Sequence, residues 1–191
     1  MMDKINIGAN SLFYPMPVSL VGALVQGRPN FLAVAWVSRV NLDPPIVAVA
    51  LNKVRHTAVG VQEQKTFSVN LPGVDLVKET DYCGLVSGKE VDKSSLFEVF
   101  YGELETAPLI KACPLCLECR LIQTVTLPTH HLFLGEVVGA YTEERYLTDG
   151  KPDMEKIRPF LFSRADNSYW TVGERLAKAY SIGKQVQGEW K

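Results

Sequence analysis

The chain has no apolar run approaching the roughly 20 residues that cross a bilayer as a helix, so no membrane-spanning helix is expected. Neither charge is in excess. With 20 Lys and Arg against 21 Asp and Glu scattered along the chain, nucleic-acid binding, which needs a basic face, is not expected as the main role. Only three histidines occur, and none stands in H-E-x-x-H or another tight metal-ligand spacing. There is no G-x-S-x-G elbow to support nucleophilic hydrolysis. Neither G-x-G-x-x-G nor G-x-x-x-x-G-K-[ST] is present, which removes the usual dinucleotide and triphosphate loops. The N-terminal MMDKINIGANSLFYP has no basic region leading into an apolar core, so no signal peptide and a cytoplasmic location are expected.

Cysteine is also sparse, but three of the four residues fall in one run, CPLCLEC (Cys113, Cys116, Cys119). That spacing invites a metal or iron–sulfur reading, with Cys83 as the remaining thiol. The stretch CPLCLECRLIQTVTL instead reads as a strand, with Leu117, Cys119, Leu121 and Val125 on one side and Glu118 and Arg120 on the other. Residues three apart in a strand point to opposite faces, which separates Cys116 from Cys113 and Cys119. Buried thiols acting as small apolar residues follow from this pattern. Metal binding at the run is the competing reading.

What the chain does have is an ordinary hydrophobic share, 47%, over 191 residues. This suits a single domain spanning residues 1–191 with a sizeable core. Segments such as FLAVAWVSRV, PIVAVALN, TFSVNLP and HLFLGEVVGAYT are rich in strand-forming residues and separated by turn signals. The fold class is therefore mainly β with short helices, a barrel or sandwich rather than an alternating β/α sheet. Helices are expected at Thr57–Gln64, Leu76–Cys83 and Val172–Tyr180, and EERYLTDGKPDMEKIRP reads as a surface loop.

Several stretches carry groups suited to a ligand. NFLAVAWVSRVNLDPP holds polar and aromatic residues between apolar runs and closes on two prolines. In LNKVRHT a strand end is followed by Arg55 and His56, with Thr57 placed to cap a helix whose free N–H groups would receive an anion. An ordinary capped surface helix accounts for the same residues. DYCGLVSGKEVDK combines small residues with Lys89 and Lys93, a weak anion signal. In PTHHLFLGEVVG, alternation sends His130 and His131 to opposite faces, so at most one of them enters any given site.

Taken in order, AWVSRVNLDPP, VRHT, FSVNLP, DYCGLVSGKEVDK, HHLFLGEV and YWTVGERLAKAYSIGK resemble the flavin reductase-like family, flavoredoxins in particular, from about Asn30 to Lys184. The resemblance implies an FMN-binding split β-barrel, a homodimer with FMN near the interface. It implies that Asn30–Asn41 lies along the flavin, with Trp36, Val37, Ser38 and Asn41 near the ring and ribityl chain. Asn70 would serve further polar atoms of the cofactor. Arg55 to Thr57 would form the phosphate cradle, with Lys93 as an additional phosphate or ribityl contact. His130 would face the flavin or substrate side, with His131 as the alternative register. Phe162, Arg164 and Trp170 would close the site, from this chain or from the partner subunit. The implied activity is that of an oxidoreductase or electron carrier using bound FMN, fed by NADH, NADPH or a protein donor. The other readings are a non-enzymatic FMN- or haem-binding protein on the same barrel, with haem ligated by His130 or His131, and metal binding or a redox-active thiol pair at the cysteine run.

Overall fold

The computed structural model describes residues 3–10 and 15–188. The chain begins with β1 (Met16–Pro17), β2 (Ser19–Val25), β3 (Arg28–Val34), β4 (Val37–Asn41) and β5 (Ile46–Asn52). Helix α1 (His56–Gln64) leads into β6 (Thr66–Leu71), followed by α2 (Val77–Leu85). The paired β7 (Val99–Phe100) and β8 (Leu109–Ile110) precede two long strands, β9 (Leu115–Thr126) and β10 (His130–Thr142). Next come β11 (Leu147–Thr148), β12 (Lys151–Pro152), α3 (Met154–Ile157), β13 (Phe160–Ser163) and β14 (Ser168–Thr171).

Seven of these strands form one sheet in the order β3-β2-β6-β9-β10-β5-β4. Its two outermost strands, β3 and β4, are consecutive in the chain and separated only by Ala35 and Trp36. The sheet must therefore roll back on itself, and the result is a barrel split between β3 and β4. The apolar run FLAVAWVSRV, expected as one strand, breaks at this seam because its two halves pair with different neighbours, β3 with β2 and β4 with β5.

Neighbouring residues on these strands enter different cores. Val21, Leu32, Val49, Phe67, Cys119 and Phe133 pack in one cluster, while Leu20, Phe31, Cys83, Leu109, Cys113 and Cys116 pack in a second. Burial on both faces explains why the strands read as continuous apolar runs rather than a clean alternation. Helix α1 lies against β2 at Gly60, where an added Cβ would strike the Leu24 carbonyl and approach the Val25 side chain to 2.9 Å. That close approach anchors the helix whose N-terminus borders the site.

Three expectations are corrected. No helix forms at Val172–Tyr180: the segment carries Gly173 and is exposed along its length, with no apolar face packed on the body. The polar stretch after Tyr141 is not a plain loop, since it folds into the β11–β12 hairpin and α3, whose first turn is capped by Asp153 accepting from Glu155 and Lys156 N–H groups. Cys113 lies before β9 rather than on it, so it shares a cluster with Cys116, and only Cys119 is separated. Glu118 does lie on the strand face opposite Leu117, as the alternation implies, and is fully buried there.

Candidate functional site

A cleft of about 500 Å³ opens at the barrel seam, within the usual size of small-molecule sites. Its floor is apolar, from Leu32, Val34 and Leu51, with Met16 and Val18 at one side. Trp36 stands at the seam itself, and the His130 ring lies against it with centroids 4.8 Å apart. The β10–β5 register places His130 opposite Asn52, which also lines the cleft. The His130 Nδ1 is 2.8 Å from the Thr129 hydroxyl, so its other ring nitrogen remains for the cleft. His131 turns to the other face, against Phe133 with its Nδ1 3.3 Å from Thr126 Oγ1, and does not line the cleft. Of the two histidines, His130 lines the cleft.

Arg55 lines the cleft as the residue preceding α1. It occupies the N-cap position without a side-chain capping bond, and Thr57 is inside the first turn rather than the cap. Ala58 N–H is bonded to the Arg55 carbonyl at 3.1 Å, and the helix dipole places its positive end beside the guanidinium. Among the described residues, the Arg55 side chain has one hydrogen bond, a long one from Nη1 to the Gly84 carbonyl at 3.4 Å.

Asn30, Thr57 and Lys93 lie behind this wall. Asn30 Nδ2 donates to Thr57 Oγ1 at 2.7 Å, and Lys93 Nζ donates to the carbonyls of Phe31 (3.0 Å) and Cys83 (2.8 Å). All three are buried. Asn30 and Lys93 border a second, polar cavity of about 750 Å³ that also contains His56 and Lys89. Burial, followed by the Lys89 and Lys93 charges, holds the His56 pKa down, and burial likewise lowers that of Lys93.

Other expected site residues lie elsewhere. Asn70 is fully buried in the core, donating to the Leu20 carbonyl and Ser68 Oγ and accepting from Ile110 N–H, so its polar atoms are already occupied. Val37 packs against the first core, while Ser38 and Asn41 are exposed on β4. There Asn41 Nδ2 donates to the Pro44 carbonyl at 2.7 Å, and Arg39 donates to the carbonyls of Asn41 and Leu42. These side chains brace the β4–β5 connection and do not reach the cleft.

From the C-terminal hairpin, Phe162 and Arg164 line the cleft, but Trp170 does not. Phe162 pairs with Tyr169 and Leu161 with Trp170, so alternation turns Tyr169 inward and leaves Trp170 exposed. Tyr169 lines the cleft and was not singled out in the sequence. The available signal was the two-residue period in SYWT, which separates the adjacent aromatics once the pairing is known.

The thiols of the cysteine run are apolar fillers. Burial pushes Cys83 up to about 11 and Cys116 up to about 12, and raises Cys113 and Cys119 as well. Among the described residues, no group of three or more His, Cys, Asp or Glu is arranged to hold a metal. Nor, among them, is any helix long and apolar enough to cross a membrane.

A split barrel with an apolar cleft at its seam and a cationic helix N-terminus at the rim defines a cofactor-binding β protein. Residues 11–164 match the flavin reductase like domain, and the chain belongs to that family. The fold is similar to flavoredoxin from Methanosarcina acetivorans, at 54% identity over 97% of this chain and 100% of that one, with a TM-score of 0.95. Flavoredoxin of Desulfovibrio vulgaris (Miyazaki F) is 36% identical over 95% of this chain and 100% of that one, TM-score 0.88. An FMN-binding protein from Thermus thermophilus, crystallised with 1-cyclohex-2-enone, is 26% identical over 93% and 100%, TM-score 0.80.

Proposed function

We propose that this protein is an FMN-binding oxidoreductase or electron carrier of the flavoredoxin type, moving electrons from a nicotinamide or a protein donor to an acceptor. The carrying observation is that the seam cleft joins an apolar floor to Arg55, the residue that precedes α1. FMN has a flat apolar ring, a polar chain and a phosphate, and these surfaces match it in kind. Leu32, Val34 and Trp36 suit the ring, the backbone at the Ala35–Trp36 break suits the chain, and Arg55 with the helix N-terminus suits the phosphate. Bound flavin supplies the redox chemistry, while the protein orients it, excludes water and sets its electrostatics. The family membership and the FMN-binding Thermus relative support the same cofactor.

The test is anaerobic reduction of the FMN-loaded protein. Bleaching of the flavin band by NADH or NADPH marks a reductase. A band that stays oxidised with both nicotinamides but bleaches with a reduced protein donor marks a carrier. A flavin that none of these reduces would contradict the redox reading.

Trp36 is 36% exposed and packs on His130 rather than in the core. Trp36→Ala should therefore cost less stability than the roughly 3–5 kcal/mol of a buried aromatic. It should shift the bound-flavin spectrum and lower affinity. An unchanged spectrum and affinity would remove Trp36 from the flavin site.

The reading includes a homodimer in a reducing, cytoplasmic setting. Four free, buried cysteines suit such a compartment. Beyond β14 the chain runs exposed, with Leu176 at 100% and Tyr180 at 98%. Apolar side chains left in water at this density suit burial against a second copy. Truncation after Thr171 should lower the mass seen by sedimentation from dimer to monomer. A truncated chain that still sediments as a dimer would remove this segment from the interface.

A further inference from the structure

We propose that Asp81 is a positioning residue for the cleft, holding the β13–β14 hairpin over the bound flavin through Tyr169. The inference rests on the FMN reading above for its ligand, but not for the latch itself. The hairpin is outside the seven-stranded sheet and pairs with β1 in a separate three-stranded one. It nonetheless delivers Phe162, Arg164 and Tyr169 to the cleft. Its base is joined to the barrel by the Gly73–Pro159 bridge and by Val74 N–H donating to the Arg158 carbonyl at 3.0 Å. Nearer its tip, Tyr169 Oη donates to Asp81 Oδ1 at 2.8 Å, across 88 residues of sequence. Asp81 belongs to α2, which packs on β3, the strand that supplies the cleft floor.

The latch is built to persist. The Tyr169 ring meets Phe160 edge-on at 5.4 Å and Phe162 at 5.8 Å, which fixes the direction of its hydroxyl. Burial and the Asp81 bond push the phenol up to about 12, so it remains a donor throughout the neutral range. A carboxylate acceptor makes the bond charge-assisted, stronger than one between neutral groups. Loss of the latch frees the tip, and with it Arg164, while the base stays attached.

The experiment compares flavin release and local amide exchange in Asp81→Ala, Tyr169→Phe, their combination and Asp81→Asn. A hydrogen bond to a charged group is worth about ten-fold or more in an equilibrium constant. Release of FMN, followed by recovery of its fluorescence on dilution, should become about ten-fold faster in Asp81→Ala and in Tyr169→Phe. The double variant should release no faster than either single one. Asp81→Asn, whose carboxamide oxygen still accepts the bond, should recover most of the difference. Amide exchange over residues 160–171 of the flavin-free protein should rise in the first two variants and fall back in Asp81→Asn. Faster release without faster exchange, or unchanged release in a protein that retains FMN, would overturn the latch. If the wild-type protein retains no FMN, the flavin reading fails, and the exchange data alone then decide whether Asp81 holds the hairpin.

Discussion

Replacing Arg55 with Ala is expected to weaken FMN binding by on the order of 10- to 100-fold and to leave riboflavin binding nearly unchanged. The difference comes from the phosphate, which riboflavin lacks. Arg55 sits where the last residue of the β5–α1 connection meets the helix, and its side chain makes no capping bond there. Its bond to the Gly84 carbonyl, at 3.4 Å, is too long to hold the guanidinium against a phosphate dianion. An arginine in that position offers a bidentate contact beside the positive end of the helix. Arg55→Lys should fall between wild type and Ala, because lysine keeps the charge and loses the fork. Fluorescence titration with both flavins checks this. Equal losses for FMN and riboflavin would place Arg55 outside the phosphate cradle.

Glu118→Ala should produce the largest loss of stability, a fall in melting temperature of about 6–12 °C. The Glu118 carboxylate is fully buried and accepts three bonds: Glu103 N–H at 3.0 Å, Leu104 N–H at 2.8 Å and Tyr141 Oη at 2.5 Å. Gly102 and Gly139 leave room for it, since a Cβ on either would collide with its Oε1 or with the Tyr141 hydroxyl. Alanine leaves all three donors without a partner, at about 1 kcal/mol or more each. In a chain of this length each kcal/mol moves the midpoint by about 2–4 °C. Glu118→Gln, which keeps one acceptor oxygen, should cost less. Scanning calorimetry of the two variants decides the point, and a melting temperature within 2 °C of wild type for Glu118→Ala would refute it (~1 kcal/mol).

Glu118 also marks where the sequence pattern misleads. An acid alternating with leucines reads as the wet face of a strand. Strand β9 instead lies between two cores, and the carboxylate is accommodated by backbone donors from a segment, residues 101–106, that no local pattern connects to it. Strand content, the two helices after β5 and β6, and the placing of Arg55 just before the first of them were legible, because they depend on local periodicity and on the sequence of a single connection. The break at Ala35–Trp36 was not, since it arises from pairing with β2 on one side and β5 on the other. That Tyr169 and not Trp170 lines this chain's own cleft was hidden for the same reason: which neighbour faces it depends on register with Leu161 and Phe162. Asn70 looked available as a polar ligand, but its partners at Leu20, Ser68 and Ile110 come from distant parts of the chain.

The most direct test of the account is the visible spectrum of the protein after incubation with FMN and removal of free flavin by desalting. The account predicts a retained flavin band with its maxima displaced from those of free FMN, at close to one flavin per chain. Protein that emerges colourless, with all of the flavin in the low-molecular-mass fraction, would contradict it.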